Sequence, residues 1–292
     1  MLQENSVRDA ITISHGALPQ APFADHASAI MGVMELITAE RRGNVWLMGL
    51  NRAAKRNAFS RHMLDELALA YSELDRNPDL HCGLLFAHGD HFTAGVDLAE
   101  FGPRFLDDEN AMAPPAGGVD PLGIRSRTAK PVVATAQGIV FTIGIELLLA
   151  CDVRIGCVNA RFSQLEVRRG LYPLAGATFR MPQQCGWGNA MRWLLTGDEF
   201  TAAEALRIGL IQEIAEPGAY LAKGFEIAER IAARAPLAVQ ATLASARVWR
   251  DEAEDAAAQH LRDGLDRVAS SEDYQEGIRS FRERREAKFH GR

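Results

Sequence analysis

From residue 35 to about residue 216, short apolar runs alternate with stretches whose apolar residues recur at helical spacing, and this alternation restricts the fold more than any other feature. Residues 36–39 and 45–50 are two such runs flanking a Gly43-Asn44 turn, the pattern of a β-hairpin. Ser60 is placed to cap a helix on which Met63, Leu64, Leu67, Ala70, Tyr71 and Leu74 share one face, and Asn77-Pro78 stops it. Residues 83–87, 131–135 and 152–158 read as further strands, with an apolar helix over 144–150. Strands that alternate with helices pair in parallel through crossover connections, so the fold class expected is α/β.

Past residue 216 the pattern is purely helical. Thr201-Ala202-Ala203-Glu204 reads as a capping box, and residues 219–235, 237–249, 252–269 and 274–288 fit four more helices. The expected organisation is an extended or disordered tail over 1–33, an α/β core over 34–216 and a helical C-terminal lobe over 217–292. The tail holds two prolines within 17–23 and no sustained period; Met31 and Met34, just before the first strong pattern, leave a later translation start open. Residues 107–123, with Pro114, Pro115, Gly117, Gly118 and Pro121, read as a long loop, a kind of segment that is often functional or mobile.

Composition narrows the function classes. A chain of 292 residues with 47% apolar and 24% charged residues supports one sizeable core plus a smaller lobe. Its net charge of -6 is the wrong sign for a general nucleic-acid binder, so a polyanionic ligand has to be met by a local basic patch. Cys82, Cys151, Cys157 and Cys185 form no C-x-x-C pair and read as reduced, mostly buried thiols. No run reaches about 18 apolar residues, which argues against a membrane span. The first ten residues lack the basic and apolar regions of a signal peptide, so a soluble cytoplasmic protein is expected. A phosphate-binding P-loop, an H-E-x-x-H zinc helix, a G-x-S-x-G elbow and a dinucleotide G-x-G-x-x-G are all missing. His88-Gly89-Asp90-His91 has the letters of a metal cluster but reads as a solvated turn after a strand; no metal site and no cofactor are expected.

Three segments hold the remaining chemistry. The first is 91–98, a turn of small residues that opens a helix after a strand. The second is 137–152, which places Glu146 between Ile145 and Leu147 inside an apolar helix. The third is 160–173, with Glu166 on the connection after a strand. A glutamate is rarely buried without a partner, so Glu146 either serves chemistry or faces a wet edge or an arginine. Glu166 is open to a surface salt bridge with Arg168 or Arg169.

These segments resemble the crotonase superfamily, the enoyl-CoA hydratase/isomerase fold. The likeness runs from about residue 36 to residue 289: Leu50-Asn51-Arg52, Phe92-x-Ala94-Gly95-x-Asp97, residues 138–152 and Phe162-x-Gln164-x-Glu166. It continues through Pro173-x-x-Gly176-x-x-x-Arg180, Leu195-Thr196-Gly197-Asp198, Ala202-x-Glu204-Ala205 and Gly209-Leu210-Ile211. The order and spacing of these motifs are specific where each alone is weak.

The resemblance implies a spiral of repeated ββα units with a helical C-terminal lobe, and acyl-CoA thioester chemistry. By position, the backbone N–H groups of Val96 and Ile143 would form the oxyanion hole that grips the thioester carbonyl and stabilises an enolate. A reading independent of the family agrees for Ile143, because an N–H just ahead of a helix is an unpaired donor at its positive end. Glu146 and Glu166 match the two glutamates of the family's hydratases, one taking a proton from water at the β-carbon and one supplying a proton at the α-carbon, the latter assigned to Glu166. Lys55, Arg56, Ala94, Asp97 and Arg284 fall where the family meets CoA; Arg284 also fits a solvated helix face with Glu283 and Glu286 as partners.

The implied activity is hydration of a 2-enoyl-CoA, with CoA part of the substrate and no other cofactor. Double-bond isomerisation or another enolate reaction is the alternative, followed by a non-catalytic acyl-CoA-binding or RNA-binding relative. A homotrimer or dimer of trimers is implied, with no nucleic-acid or membrane partner. The chain departs from the pattern at Thr142-Ile143, where glycines are usual, at Val96 for alanine, at Leu165 for proline, at Arg169 for an apolar residue and at Leu174 for glycine.

Overall fold

The hairpin sets the edge of the main sheet: β1 (Ile37–Arg42) and β2 (Val45–Leu50) pair antiparallel, with Arg42 opposite Val45 across the Gly43-Asn44 turn. These coordinates are a computed structural model that describes residues 34–101, 108, 110–234, 236, 239–244, 246, 247, 269, 270 and 272–285. The tail expected over 1–33 lies outside the described residues. So does the helix expected over 252–269, apart from Ala269.

From β2 onward the sheet is parallel. It adds β3 (Cys82–Ala87), β4 (Val132–Ala136), β6 (Val153–Cys157) and β9 (Glu213–Ala215) in the order β1-β2-β3-β4-β6-β9. Every residue of β2, β3 and β4 is buried, because both faces of the sheet are covered. On one face Trp46, Met48, Leu50 and Leu85 join Leu67, Ala70 and Leu74 of α1 (Arg61–Arg76) in the main core. On the other, Val45, Leu47, Leu84, Val133 and Ile155 meet Ala228 and Ala232 of a helix near the C-terminal end, Tyr220–Ala232.

A second, shorter sheet stands beside the first. β5 (Ile139–Phe141) pairs parallel with β7 (Arg161–Ser163), and β7 pairs antiparallel with β8 (Phe200–Thr201). Single parallel bridges, Phe59 to Val96 and Thr93 to Val140, continue this layer. Strands of two or three residues leave no period in a sequence, which is why the apolar pattern did not reveal them. The chain thus repeats one circuit: a long-sheet strand, a short-layer strand or bridge, then a helix. β4, β5 and α2 (Ile143–Ala150) form one such circuit; β6, β7 and, beyond a 3₁₀ turn over Glu166–Arg169, α3 (Ala177–Cys185) form the next. This is the crotonase-like α/β spiral.

Most expected elements appear where the residues placed them. Ser60 Oγ accepts the Met63 N–H at 3.1 Å, and Asn77 leaves α1 in an extended conformation. Boundaries shift by a few residues. α2 starts at Ile143 rather than Gly144, with Thr142 at its N-cap. α4 (Trp187–Thr196) leads through β8 to α5 (Ala202–Arg207), where Thr201 Oγ1 accepts the Glu204 N–H at 3.3 Å. The Glu204 carboxylate turns to Arg207 instead of closing the box. The helices expected over 219–235 and 274–288 are α6 (Tyr220–Ala232) and α7 (Glu272–Glu283), residues 286–288 lying outside the described ones. All four cysteines are buried and free.

Candidate active site

Glu146 lies in the first turn of α2 and is 3% exposed. Its Oε1 accepts the N–H of Ala175 at 2.7 Å and of Ala177 at 3.2 Å, groups on the approach to α3 and its first residue. Burial pushes its carboxyl up to about 7, against the lowering effect of those two N–H groups and of Arg180. Arg180 is itself buried and donates from Nη2 to the Gly123 carbonyl at 2.9 Å, tying the segment around Gly123 to α3. Asp120 organises the same loop by accepting the N–H groups of Leu122, Ile124 and Arg125.

Glu166 opens the 3₁₀ turn that follows β7 and is partly buried. Its carboxyl is raised well above the ordinary range, first by burial and then by repulsion from Glu146. The two glutamates are therefore electrostatic neighbours in one low-dielectric site. Gln164 is fully buried, and with its amide oriented nitrogen toward Glu166, the orientation that satisfies both ends, it donates to Oε2 and Oε1 at 3.0 and 3.1 Å. Sequence reasoning missed this residue as a functional one. The available signal was its place in Phe162-x-Gln164-x-Glu166, two residues before a candidate acid. The salt bridge that Glu166 was open to does not form: among the described residues it pairs with neither Arg168 nor Arg169, and the Arg169 guanidinium lies 5.2 Å over the Phe281 ring instead.

Two main-chain donors, those of Val96 and Ile143, lie near the start of α2. In the Phe59–Val96 bridge the ladder runs from Phe59 N to Gly95 O and from Asp97 N to Phe59 O, each 2.9 Å, so the Val96 N–H faces the other way. It has no hydrogen-bond partner among the described residues. Neither has the N–H of Ile143, since the first bonds of α2 run from Ile145 and Glu146 to Thr142 O. Gly95 and Thr142, the residues before these two, are in contact: a Cβ on Gly95 would stand 2.5 Å from Thr142 Oγ1. Unpaired N–H groups at a helix start favour an anionic oxygen.

The residues expected to meet CoA divide into two groups. Lys55 ends a 3₁₀ turn over Ala53–Lys55, and Arg56 follows it in the left-handed region at φ 51°; both are exposed. The Ala94 N–H donates to the Arg56 carbonyl at 2.9 Å, which joins this turn to the 92–97 segment. Asp97 pairs with Arg52 at 3.3 Å, and its carbonyl accepts from Glu100 and Phe101. A polar cleft of about 300 Å³ opens beside them, lined by Arg56, Asn57, His88 and His91 among others.

The histidines flank an exposed Gly89-Asp90 bend and are themselves half-buried. His88 Nε2 lies 2.7 Å from Thr38 Oγ1, and His91 Nδ1 accepts the Ile139 N–H at 3.3 Å. Among the described residues no cluster of His, Cys, Asp and Glu could hold a metal. Arg284 is exposed just past the end of α7, in the left-handed region at φ 52°. Glu283, its expected partner, is held by Arg285 at 2.6 Å.

A sequence model described as enoyl-CoA hydratase/isomerase matches residues 40–292. The chain belongs to the enoyl-CoA hydratase/isomerase family. Enoyl-CoA hydratase EchA19 of Mycobacterium tuberculosis is 35% identical over 259 residues, covering 87% of this chain and 96% of its own. Crotonyl-CoA hydratase of Syntrophomonas wolfei is 32% identical over 259 residues, with 87% and 98% covered. Among solved structures, a probable enoyl-CoA hydratase/isomerase from Mycobacterium abscessus superposes with a TM-score of 0.72 at 45% identity, covering 88% of this chain and 99% of that one. Family membership places an acyl-CoA thioester as the substrate of this enoyl-CoA hydratase/isomerase relative. No helix among its described residues is long and apolar enough to cross a membrane.

Proposed function

We propose that the protein is an enoyl-CoA hydratase, adding water across the 2,3 double bond of a 2-enoyl-CoA to give the 3-hydroxyacyl-CoA. The observation that carries this reading is the placement of two carboxylates in one site, where buried Glu146 repels partly buried Glu166 and raises its carboxyl. Such a pair holds one proton where two isolated carboxylates would hold none, so an acid and a base are available together near neutral pH. In the proposed reaction the thioester carbonyl rests on the Val96 and Ile143 amides, and a water lies between the carboxylates. One carboxylate takes a proton from the water as its oxygen bonds to the β-carbon. The C2=C3 electrons then move onto the thioester oxygen as an enolate. Glu166 supplies the proton that the α-carbon takes as the enolate collapses.

The energetics suit these parts. One oxyanion donor is typically worth about 2.7–4 kcal/mol in the transition state, and positioned proton transfer about 10²–10⁴ in rate. Water addition is redox-neutral and the amides polarise the carbonyl, so no metal or redox cofactor has a step. The hydratase names of the Mycobacterium and Syntrophomonas relatives support the reading.

Lys55, Arg56, Ala94, Asp97 and Arg284 are proposed to border the CoA moiety. The assembly proposed is a homotrimer or dimer of trimers. It is supported by Trp187 and Leu195, two turns apart on α4 and 73% and 70% exposed. Light scattering that shows a monomer would overturn it. The four unpaired thiols support a reducing, cytoplasmic setting.

The test is incubation with crotonyl-CoA and longer enoyl-CoA esters in ¹⁸O-labelled water. A labelled 3-hydroxyacyl product is expected. Tight CoA-ester binding with no label in any product would sink the hydratase reading.

A further inference from the structure

Thr142 occupies a conformation that a threonine should avoid. Its φ and ψ are 50° and −113°, a region open to glycine and strained for a β-branched residue. Its hydroxyl is also buried without a hydrogen-bond partner. Glycine at this position would relieve the backbone, and valine would remove the unpaired oxygen. Neither local comfort nor hydrogen bonding therefore accounts for the side chain. What remains is contact: Thr142 Oγ1, Cβ and Cγ2 stand 2.5, 3.6 and 3.7 Å from the point where a Cβ of Gly95 would be. Gly95, at φ 108°, presents a bare Cα to this side chain.

The contact joins the two residues that precede the free amides of Val96 and Ile143. Gly95 is held from its other side, with its carbonyl accepting Phe59 N and its N–H donating to Thr93 Oγ1 at 3.1 Å. Thr142 is held by its N–H to Ser163 O at 2.9 Å. With both backbones anchored behind, the Thr142 side chain is the spacer between them. We propose that Thr142 is a positioning residue: resting on Gly95, it sets the gap between the Val96 and Ile143 amides, and so how well they hold the enolate oxygen. This rests on the reading above that those amides receive the thioester carbonyl. Two donors that must both reach one oxygen tolerate little change in separation, since effective donors lie about 2.7–3.1 Å from it.

The test compares Thr142→Gly with Thr142→Val in the full chain. Three readouts are used: hydration kinetics, exchange of the α-proton of a saturated acyl-CoA in D₂O, and the near-ultraviolet band of bound acetoacetyl-CoA enolate. In the exchange, a base removes the α-proton and the carbon regains a deuteron, so enolate formation is read without any water addition. Thr142→Gly is expected to lower kcat by about tenfold or more with KM little changed, to slow exchange in parallel and to shift the enolate band. Its unfolding midpoint should not fall, because strain is relieved, which separates the effect from misfolding. Thr142→Val, which keeps the shape and lacks the hydroxyl, is expected to restore kcat to within about threefold of wild type.

A glycine variant with wild-type kcat, exchange and enolate band overturns the proposal and leaves the hydratase reading standing. A valine variant as impaired as the glycine one overturns it as well, since the hydroxyl and not the spacing would then matter. Wild-type protein that hydrates nothing, yet shows an enolate band that Thr142→Gly shifts, removes the hydratase reading and supports the spacer. Wild-type protein with neither hydration nor enolate band overturns both.

Discussion

The side-chain amide of Gln164 spans both carboxylate oxygens of Glu166, at 3.0 Å from Oε2 and 3.1 Å from Oε1. A carboxylate raised by burial and by Glu146 is thereby given two donors that favour its charged form. Replacing Gln164 with leucine leaves that charge without them, and hydrogen bonds to charged groups are worth about 1.5–3 kcal/mol. The Glu166 carboxyl then moves up further. The expected outcome for Gln164→Leu is a fall in kcat of about tenfold or more, with the alkaline limb of the pH–rate profile, which the proton donor Glu166 sets, displaced to higher pH. A profile that keeps its wild-type midpoint would show that the amide does not tune Glu166.

Glu146→Gln and Glu166→Gln each remove one proton carrier while keeping the shape. Each is expected to reduce turnover by at least about 10²-fold, while binding of a saturated acyl-CoA stays within a few fold. Steady-state kinetics paired with calorimetric titration separates the two effects. Near wild-type turnover in both variants would remove the two-glutamate mechanism.

Removing the Glu146 charge should also stabilise the fold, with a definite sign against pH. A carboxyl raised from 4.5 to about 7 binds its proton more tightly when folded than when unfolded. Stability from this group is therefore fully present below about pH 4.5 and declines as pH rises through about 7. The shift corresponds to roughly 3 kcal/mol above pH 7. In Glu146→Gln the amide oxygen still accepts from Ala175 and Ala177, and Glu166 loses its repelling neighbour. The thermal midpoint of this variant should exceed wild type at pH 8, with the difference shrinking toward pH 5. A constant difference across that range would show that Glu146 is not held up by its burial.

Where periodicity was strong, the sequence was a sufficient guide. The hairpin, the Ser60 cap and strands β3, β4 and β6 follow from residue patterns that long-range packing only reinforces. Glu146 was conspicuous because an acid between Ile145 and Leu147 has to be explained. The rest depended on contacts between distant segments. β5, β7 and β8 are too short to leave a period, yet they carry the chain into Ile143, Glu166 and Ala202. His91 reads as a polar turn residue until Ile139 is seen donating to its ring. Thr142 is tied to Ser163 on one side and meets Gly95 on the other, and neither neighbour is close in sequence.

The turn that carries Glu166 is backed by α7, and Gly277 sets how closely they approach. A Cβ there would stand 1.7 Å from the Arg169 carbonyl oxygen, far inside contact distance, so even alanine has to push the helix or the turn away. Overpacking of this kind costs about 1–3 kcal/mol. Gly277→Ala is expected to lower the thermal midpoint and also to reduce kcat, because the displaced turn begins at Glu166. Unchanged kcat alongside a lower midpoint would mean that α7 supports the fold without reaching the site.

Lys55 and Arg56 offer exposed cations beside the polar cleft, whereas Arg284 stands on a helix that packs against the Glu166 turn. If CoA phosphates lie along the cleft, Arg56→Ala and Lys55→Ala should each raise KM several fold more than they lower kcat. The effect should shrink between about 0.05 and 0.5 M salt as screening shortens the reach of surface charge. Arg284→Ala separates the two ends of the proposed contact. A salt-sensitive loss of CoA-ester affinity places a phosphate near α7 as well. Affinity that matches wild type at every salt concentration assigns Arg284 to the solvated face of its helix and leaves the phosphates to Lys55 and Arg56.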